Sequence, residues 1–512
     1  MKKINWNVVM AGIGFAIGLG NFWLFPYVIM NYGDSALFIF YILVAFAIAT
    51  PIIALELVLG RTYRGGPLKA ISEHFTKNRG FGAIFAVMCT FFAGTYAVST
   101  GWSLYFAIES ITNENLAQYK NIWESLYSSF SEQLIATLLV LALTYIIMIN
   151  LPSREKLVSW YKYFVSAIFF LLVIDTALVL SIPNALGGLY NYLILIDFSK
   201  VFNGISIANV VIQALYSTSA AIGGFILLGS LLRKEEDIAK SSILMVAGDT
   251  LVAIFGAIIV IAIVASLVPN PTEYVLESGS ALTFKTIPEA VQAMAGSNYI
   301  IARLFSISYY GMLLLGAWTT LIILIEVGVE AIETIVWNRK KAIDIIMMFT
   351  VLVGSASSYN KEIIGKITVL TFFENSWSVV GLFIAGILIC STLYFKSHKL
   401  LGRLPFIYEK LAKYFCPAVF IGFAIWWIKV DNFGFILALL LPLITLLLLF
   451  GFREKIEQKR LEFYKRVAPR PVVISMDQKE IKKRVEQVES NFNLDKIKEQ
   501  AKKAREERRK QL

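Results

Sequence analysis

Four carboxylates, Glu56, Asp175, Asp249 and Glu326, stand inside long apolar stretches of this chain, with no lysine or arginine at comparable depth to pair with them. A carboxylate buried without a partner costs several kcal/mol unless it is protonated, hydrogen-bonded or next to a cation. Residue type and depth therefore favour a cation path over an anion path. Asp249 lies about nine residues, roughly 14 Å of helix, beyond the inner end of its stretch. For Asp175 a hydrogen-bonded structural carboxyl is the favoured reading; for Glu56 and Glu326 structural and functional roles weigh evenly. Thr319 and Thr320 follow Gly316 deep inside another stretch. Adjacent helical threonines commonly bond back to the carbonyl four residues earlier, yet hydroxyl and carbonyl oxygens are also the hard ligands a dehydrated Na+ requires.

Two stretches read poorly as continuous helices. One carries Gly12, Gly14, Gly18, Gly20 and Asn21 shortly before Pro26; the other runs from Gln213 through Tyr216, Ser217, Thr218, Ser219, Ala221 and Ile222 to Gly223 and Gly224. A mid-helix glycine costs about 1 kcal/mol relative to alanine, so such clustering argues for broken helices. Free backbone groups at membrane depth are tolerated only where protein buries them or they line a cavity. Both breaks should therefore face one cavity.

Long helices must position these groups. About 20 apolar residues cross roughly 30 Å of hydrocarbon. Twelve such runs are predicted, at about 8–29, 36–60, 81–111, 133–150, 160–182, 205–231, 240–268, 299–335, 340–353, 367–395, 411–428 and 432–452. The fold class is thus an all-α membrane protein. Runs one and six, which hold the breaks, are five apart, so runs one to five (about 8–182) and six to ten (about 205–395) can form an inverted repeat. Glycine interruptions at matching positions of two halves point to a transporter's central site. Close packing through small residues is the alternative for a single glycine-rich run; the matched pair favours the broken-helix reading. Arg61, Arg64, Lys69, Arg154, Arg233 and Arg339 belong to the basic set of connections, whereas the opposite set offers only Lys120, Lys200, Lys285, Lys361, Lys366 and Lys429. This asymmetry predicts a multi-pass protein of the plasma membrane with both termini cytoplasmic.

Composition excludes other classes. The chain has 512 residues, 57% hydrophobic and 16% charged, which is not a soluble composition. Of its 47 Lys+Arg, 19 fall from Arg453 onward beside 11 of the 36 Asp+Glu, so the net charge of +11 is mostly a property of the tail. The division is a twelve-span domain, 1–452, and a charged cytoplasmic tail, 453–512, which suits a solvated, partly disordered helix or contact with anionic lipid. No broad basic face remains for nucleic acid. Cys89, Cys390 and Cys416 form no disulfide framework. With two histidines, His74 and His398, and no GxxxxGK[ST] run, neither a zinc hydrolase nor a P-loop ATPase is expected. The expectation is a transporter, not an enzyme, with no organic cofactor; a homo-oligomer is compatible with this plan.

At these residues the chain resembles the sodium- and chloride-coupled neurotransmitter symporter family. The run Gly18-Leu19-Gly20-Asn21-Phe22 followed by Phe25-Pro26 is the most specific signal. Glu56 with Gly60-Arg61, Tyr96 with Trp102, Gln213 to Gly224 and Gly316 to Thr320 fall in the family's order, over about 5–452. The resemblance implies a leucine-transporter-like fold and two Na+ sites. The first would use the Ala16 carbonyl, the Asn21 side chain, the Ser217 hydroxyl and Asp249. The second would use carbonyls of Gly14, Ile17 and Gly316 with the Thr319 and Thr320 hydroxyls. A substrate carboxylate would meet the Leu19 and Gly20 N–H groups and the Tyr96 hydroxyl, assisted by half-helix dipoles. Its amino group would face carbonyls of Ala16, Tyr216 and Ser217. Phe92, Tyr216, Ser219, Ile222 and Leu324 would line the side-chain pocket. Family members that carry monoamines hold an aspartate where Gly18 stands, so the resemblance implies an amino acid rather than an amine. The apolar pocket walls, relieved only by Ser219 and the Tyr96 and Tyr216 hydroxyls, suit a small neutral one.

Departures from the family pattern are informative. Asp249 stands where relatives usually carry asparagine, and Ala253 replaces the residue that governs chloride dependence. A fixed carboxylate there would supply the charge that chloride supplies elsewhere, so chloride-independent coupling is expected. Leu24 and Asn375 replace an outer-gate ion pair. Lys3 and Trp6 only loosely echo the inner gate, whose aspartate is Thr334 here, next to Glu333. Two other readings fit: proton coupling through Asp249, Glu56 or Glu326, and a sodium-dependent sensor that signals through its basic tail without moving substrate.

Overall fold

The structure, a computed structural model, describes residues 3–32, 35–75, 79–115, 119–151, 153–182, 185–190, 204–267, 280–364, 367–395, 400, 403–430 and 432–451. The tail, 453–512, lies outside the described residues. Hydropathy dictates the architecture: helix falls on each apolar run, and the backbone polar groups are satisfied within the helices, as lipid requires. Run three is one helix, Arg79–Thr112, run four Phe130–Asn150, run five Arg154–Leu180, run seven Ile238–Leu267, run eight Tyr299–Val336 and run nine Arg339–Ser357. Among the described residues, eight helices are long and apolar enough to cross a membrane, or nine if the bent pair in run one counts as a single span.

Helix starts follow from capping chemistry. Asn5, Ser129, Ser153, Asn298 and Asn338 each accept a hydrogen bond from the N–H three residues on, a contribution of about 1 kcal/mol per cap. Burial orders the layers. Run eight has 83% of its apolar window buried and run five 28%, so run eight is central and run five shows one side outward. Run one packs on runs five and seven, and run eight packs on runs three and five.

Both expected breaks are present. Trp6–Ala16 ends where Ile17 turns to ψ 93° and Gly18 is extended. A short turn, Leu19–Asn21, leads to the second helix, Leu24–Tyr32, and the chain bends by 62°. In run six, Gly204–Thr218 and Gly224–Gly229 are separated by a segment with Ser219 at φ 51°, Ala221 at φ 69° and Gly223 at φ 96°. The second half-helix lies directly on run two: a Cβ at Gly60 would stand 1.9 Å from the Ile226 carbonyl oxygen, so only glycine admits this contact.

Several connecting elements lie outside the predicted apolar runs or at the edge of one: helices Pro67–His74, Tyr119–Ser128 and Ile287–Ser297, and a two-stranded antiparallel pair, Glu362–Ile364 with Ile367–Thr368. They are amphipathic or too short to register as apolar runs.

Candidate functional site

The break in run one and the middle of run eight meet through oxygens. The Thr319 hydroxyl lies 2.7 Å from the Gly14 carbonyl and 2.8 Å from that of Gly316. The Thr320 hydroxyl reaches the carbonyls of Phe15 at 3.1 Å, Ile17 at 3.2 Å and Gly316 at 3.4 Å. Each hydroxyl has one proton to donate, and lone pairs remain on every oxygen of the group after that donation. Carbonyl and hydroxyl oxygens gathered in this way are what a small hard cation would use. Gly14, Ile17, Gly316, Thr319 and Thr320 are therefore gathered at one point. The Tyr161 hydroxyl of run five donates to the Thr319 carbonyl at 2.7 Å, a support not foreseen from the sequence.

A second cluster forms where run one meets runs six and seven. Asn21 Nδ2 donates to Asp249 Oδ1 at 2.8 Å and the Ser217 hydroxyl donates to Asp249 Oδ2 at 2.8 Å. All three residues are buried. Asn21 Oδ1 accepts from the Gly18 N–H at 3.4 Å, and the Tyr41 hydroxyl donates to Ser217 Oγ at 3.1 Å. Tyr41 was not singled out beforehand, because nothing local marks a tyrosine of run two as facing run six.

Between the clusters lies the Leu19 turn. The Leu19 N–H donates to the Tyr96 hydroxyl at 3.0 Å, so the two groups expected to receive a substrate carboxylate bond to each other. A Cβ at Gly18 would stand 2.9 Å from the Tyr96 hydroxyl, 3.6 Å from Thr320 Oγ1 and 3.8 Å from the Ala16 carbonyl oxygen, which puts all three around one point. The Gly20 carbonyl is held by Gln213 Nε2 at 3.2 Å. Phe92 stands edge-on to Tyr96, with ring centroids 5.7 Å apart. Ser219 donates to the Phe15 carbonyl at 3.0 Å. Ile222 and Leu324 are buried, and Tyr216 is partly buried.

The sodium:neurotransmitter symporter family matches residues 2–128 and 125–430. The chain belongs to this family. It is a sodium-dependent membrane transporter, not an enzyme. Among its relatives, a sodium-dependent transporter of Methanocaldococcus jannaschii is 26% identical over 377 residues, covering 69% of this chain and 75% of that protein. The sodium-dependent nutrient amino acid transporter 1 of Drosophila mojavensis is 23% identical over 378 residues, 61% of this chain and 57% of that one. The solved structure of MhsT in complex with L-phenylalanine matches with a TM-score of 0.72 at 20% identity, over 83% of this chain and 99% of that chain. That likeness shows a shared fold.

The remaining carboxylates of the transporter take different roles. Glu56 accepts from the Ala221 N–H at 3.0 Å and the Gly223 N–H at 2.8 Å, so it caps the break in run six. The reading of Glu326 as unpaired is corrected. Arg154 Nε lies 2.7 Å from Glu326 Oε1, and Arg339 reaches both oxygens at 2.7 and 2.9 Å. Both arginines start helices beside a connection, and their long stems carry the charge inward. Glu333 also pairs with Arg154, and Thr334 bonds back to the Ala331 carbonyl at 2.7 Å. Lys3 is tied by its backbone to the connection after run six: its N–H donates to the Glu235 carbonyl at 3.2 Å, and its carbonyl accepts from Asp237 at 2.9 Å. Asn5 Nδ2 adds a bond to Glu236 Oε1 at 3.1 Å, and Arg61 a bond to the Glu236 carbonyl at 2.9 Å.

Proposed function

We propose that the protein is a twelve-span secondary symporter of the plasma membrane, with an inverted repeat of runs one to five and six to ten and both termini cytoplasmic, that imports a small neutral amino acid with Na+ by alternating access. Na+ here is co-substrate. The observation that carries the reading is the arrangement of two oxygen clusters around the Leu19 turn. One is neutral, with Thr319, Thr320 and the carbonyls of Gly14, Ile17 and Gly316; the other holds a carboxylate, with Asn21, Ser217 and Asp249. A substrate carboxylate accepting from Leu19, Gly20 and Tyr96 would lie beside a cation at Ala16, Asn21, Ser217 and Asp249, so that each favours binding of the other. Phe92, Tyr216, Ser219, Ile222 and Leu324 would meet an uncharged side chain, because a charged one would be buried without a partner. The amino acid named for the Drosophila relative and the phenylalanine bound by MhsT support an amino acid as substrate, without bearing on its size.

In this proposal Asp249 supplies the fixed negative charge of its cluster and makes chloride dispensable. The test is uptake of radiolabelled amino acids into proteoliposomes under an inward Na+ gradient or with choline in its place, each with chloride or gluconate. The expected result is accumulation only with Na+, changed by less than about twofold in gluconate, a free-energy difference well under 1.4 kcal/mol. Uptake driven by a pH gradient without Na+ would replace the proposal with proton coupling. Saturable binding without accumulation would replace it with a sensor.

A further inference from the structure

Asp175 sits near the Leu180 end of run five and belongs to neither central cluster. One carboxylate oxygen takes the Ser308 hydroxyl of run eight. The other, Oδ2, is buried and has no hydrogen-bond partner among the described residues. Two further buried hydroxyls, of Tyr309 and Thr283, are turned toward each other and have no other partner among the described residues, and Tyr309 lies within electrostatic reach of Asp175. Among the described residues no cationic side chain acts on this carboxylate. Three elements thus bring together a charge with an unsatisfied oxygen and a pair of hydroxyls that have only each other, in an interior where an unpaired charge is costly.

A single proton on Asp175 would serve one of these oxygens and leave the rest as they are. A small cation would be met by both carboxylate oxygens and by the Ser308, Thr283 and Tyr309 hydroxyls, and would also balance the charge. Oxygen donors of this kind suit a hard monovalent ion, and an ionisable residue at membrane depth is by default a candidate functional site. We infer that Asp175, Thr283, Ser308 and Tyr309 form a further Na+-class cation site, separate from the two clusters at the breaks. The inference is independent of the amino-acid reading.

The site has a mechanical link to the centre. The Tyr309 ring is stacked on Phe305, with centroids 5.3 Å apart, and stands edge-on to Phe22 at 6.4 Å. Phe22 directly follows Asn21 at the break of run one. A cation that holds the Tyr309 hydroxyl therefore holds the ring against which the break rests.

The test is equilibrium binding of radioactive sodium to the full-length protein in nanodiscs, comparing wild type, Asp175→Asn, Ser308→Ala and the pair Thr319→Ala with Thr320→Ala. Asp175→Asn is expected to bind one Na+ fewer per protein at saturation. Ser308→Ala, which removes one oxygen and no charge, should weaken the same component by about tenfold. The threonine pair should lower the count separately, so that combining it with Asp175→Asn removes both ions. An unchanged count and affinity in Asp175→Asn overturns the inference, as does an unchanged count accompanied by loss of proton uptake in sodium-free buffer. Where Asp175→Asn does not fold, an unchanged binding curve for Ser308→Ala overturns it instead. Failure of the central reading gives a different result, an unchanged count in the threonine pair.

Discussion

Runs one and six carry the same signal, glycines and polar residues inside an apolar run, yet their breaks are served in opposite ways. In run one the freed groups are carbonyls, at Gly14, Phe15 and Ile17, and their partners are the neutral hydroxyls of Thr319, Thr320 and Ser219. In run six they are N–H groups, at Ala221 and Gly223, and their partner is the Glu56 carboxylate. A hydrogen bond to a charged group contributes about 1.5–3 kcal/mol against about 0.5–1.5 for a neutral pair. The run-six break is thus clamped, and the run-one break is held by contacts weak enough to be exchanged for an ion. The same backbone device is an anchor in one run and, in the proposed function, a binding site in the other.

The sharpest way to break this comparison is to remove the clamp. Glu56→Ala leaves two buried N–H groups without an acceptor, at about 1–3 kcal/mol each, and is expected to abolish recovery of monodisperse protein on size exclusion. Glu56→Gln keeps an acceptor oxygen for one of them and should fold with a lowered thermal midpoint. If Glu56→Ala purifies with the wild-type midpoint, the carboxylate does not hold the break.

The complementary change is Thr319→Ala with Thr320→Ala. It removes neutral bonds, so the loss of stability should be smaller than for Glu56→Ala, while Na+ activation of uptake should weaken by about tenfold or more, at 1.4 kcal/mol per decade. Na+ should raise the thermal midpoint of the wild type by mass action and raise that of the double variant by less, because the Asn21, Ser217 and Asp249 cluster is left in place. An equal Na+ effect on both would show that the hydroxyls are only helix back-bonds.

What the sequence disclosed follows from the range of the forces involved. Apolar runs and glycine clusters are local, and both breaks fall where they were expected. Helix lies on the apolar runs and, among the described residues, eight or nine of the twelve expected spans are long and apolar enough to cross a membrane. The partners of the breaks are not local: Glu56 lies 165 residues from Ala221, and Thr319 lies 305 from Gly14. Thr319, Thr320 and the first-run glycines were readable because their types are unusual at depth and because the family pattern aligns them. Tyr41 and Tyr161 were not, since a tyrosine in an apolar run is ordinary until a neighbour turns its hydroxyl inward. Glu326 was misread because counting charges within a run ignores arginines that reach in from its ends.

A finer test separates substrate from ion at the run-one break. Gly18→Ala would place a methyl carbon 2.9 Å from the Tyr96 hydroxyl, closer than a carbon and an oxygen can pack, so Tyr96 must move off the Leu19 N–H. The expected outcome is a several-fold rise in the amino-acid concentration for half-maximal uptake, measured in proteoliposomes, corresponding to about 1 kcal/mol. The rise in thermal midpoint with Na+ should persist, because Thr319 and its carbonyl partners are left in place. Loss of that rise as well would mean that the Tyr96 contact and the threonine cluster act as one unit.

The smallest effect is expected at Ala221. Its φ of 69° lies in the left-handed region, which costs an L-residue with a Cβ about 1–2 kcal/mol. Ala221→Gly relieves that strain but gives up a buried methyl, about 0.8 kcal/mol, and adds freedom to the unfolded chain, about 0.4–1 kcal/mol. These contributions nearly cancel, and the N–H that Glu56 accepts is untouched, so thermal midpoint and Na+-driven uptake should both stay close to wild type. A marked fall in midpoint would mean that packing of the Ala221 methyl, rather than the carboxylate beneath it, keeps run six open. The contrast between a clamped break and an exchangeable one would then have to be drawn from side-chain packing instead of from charge.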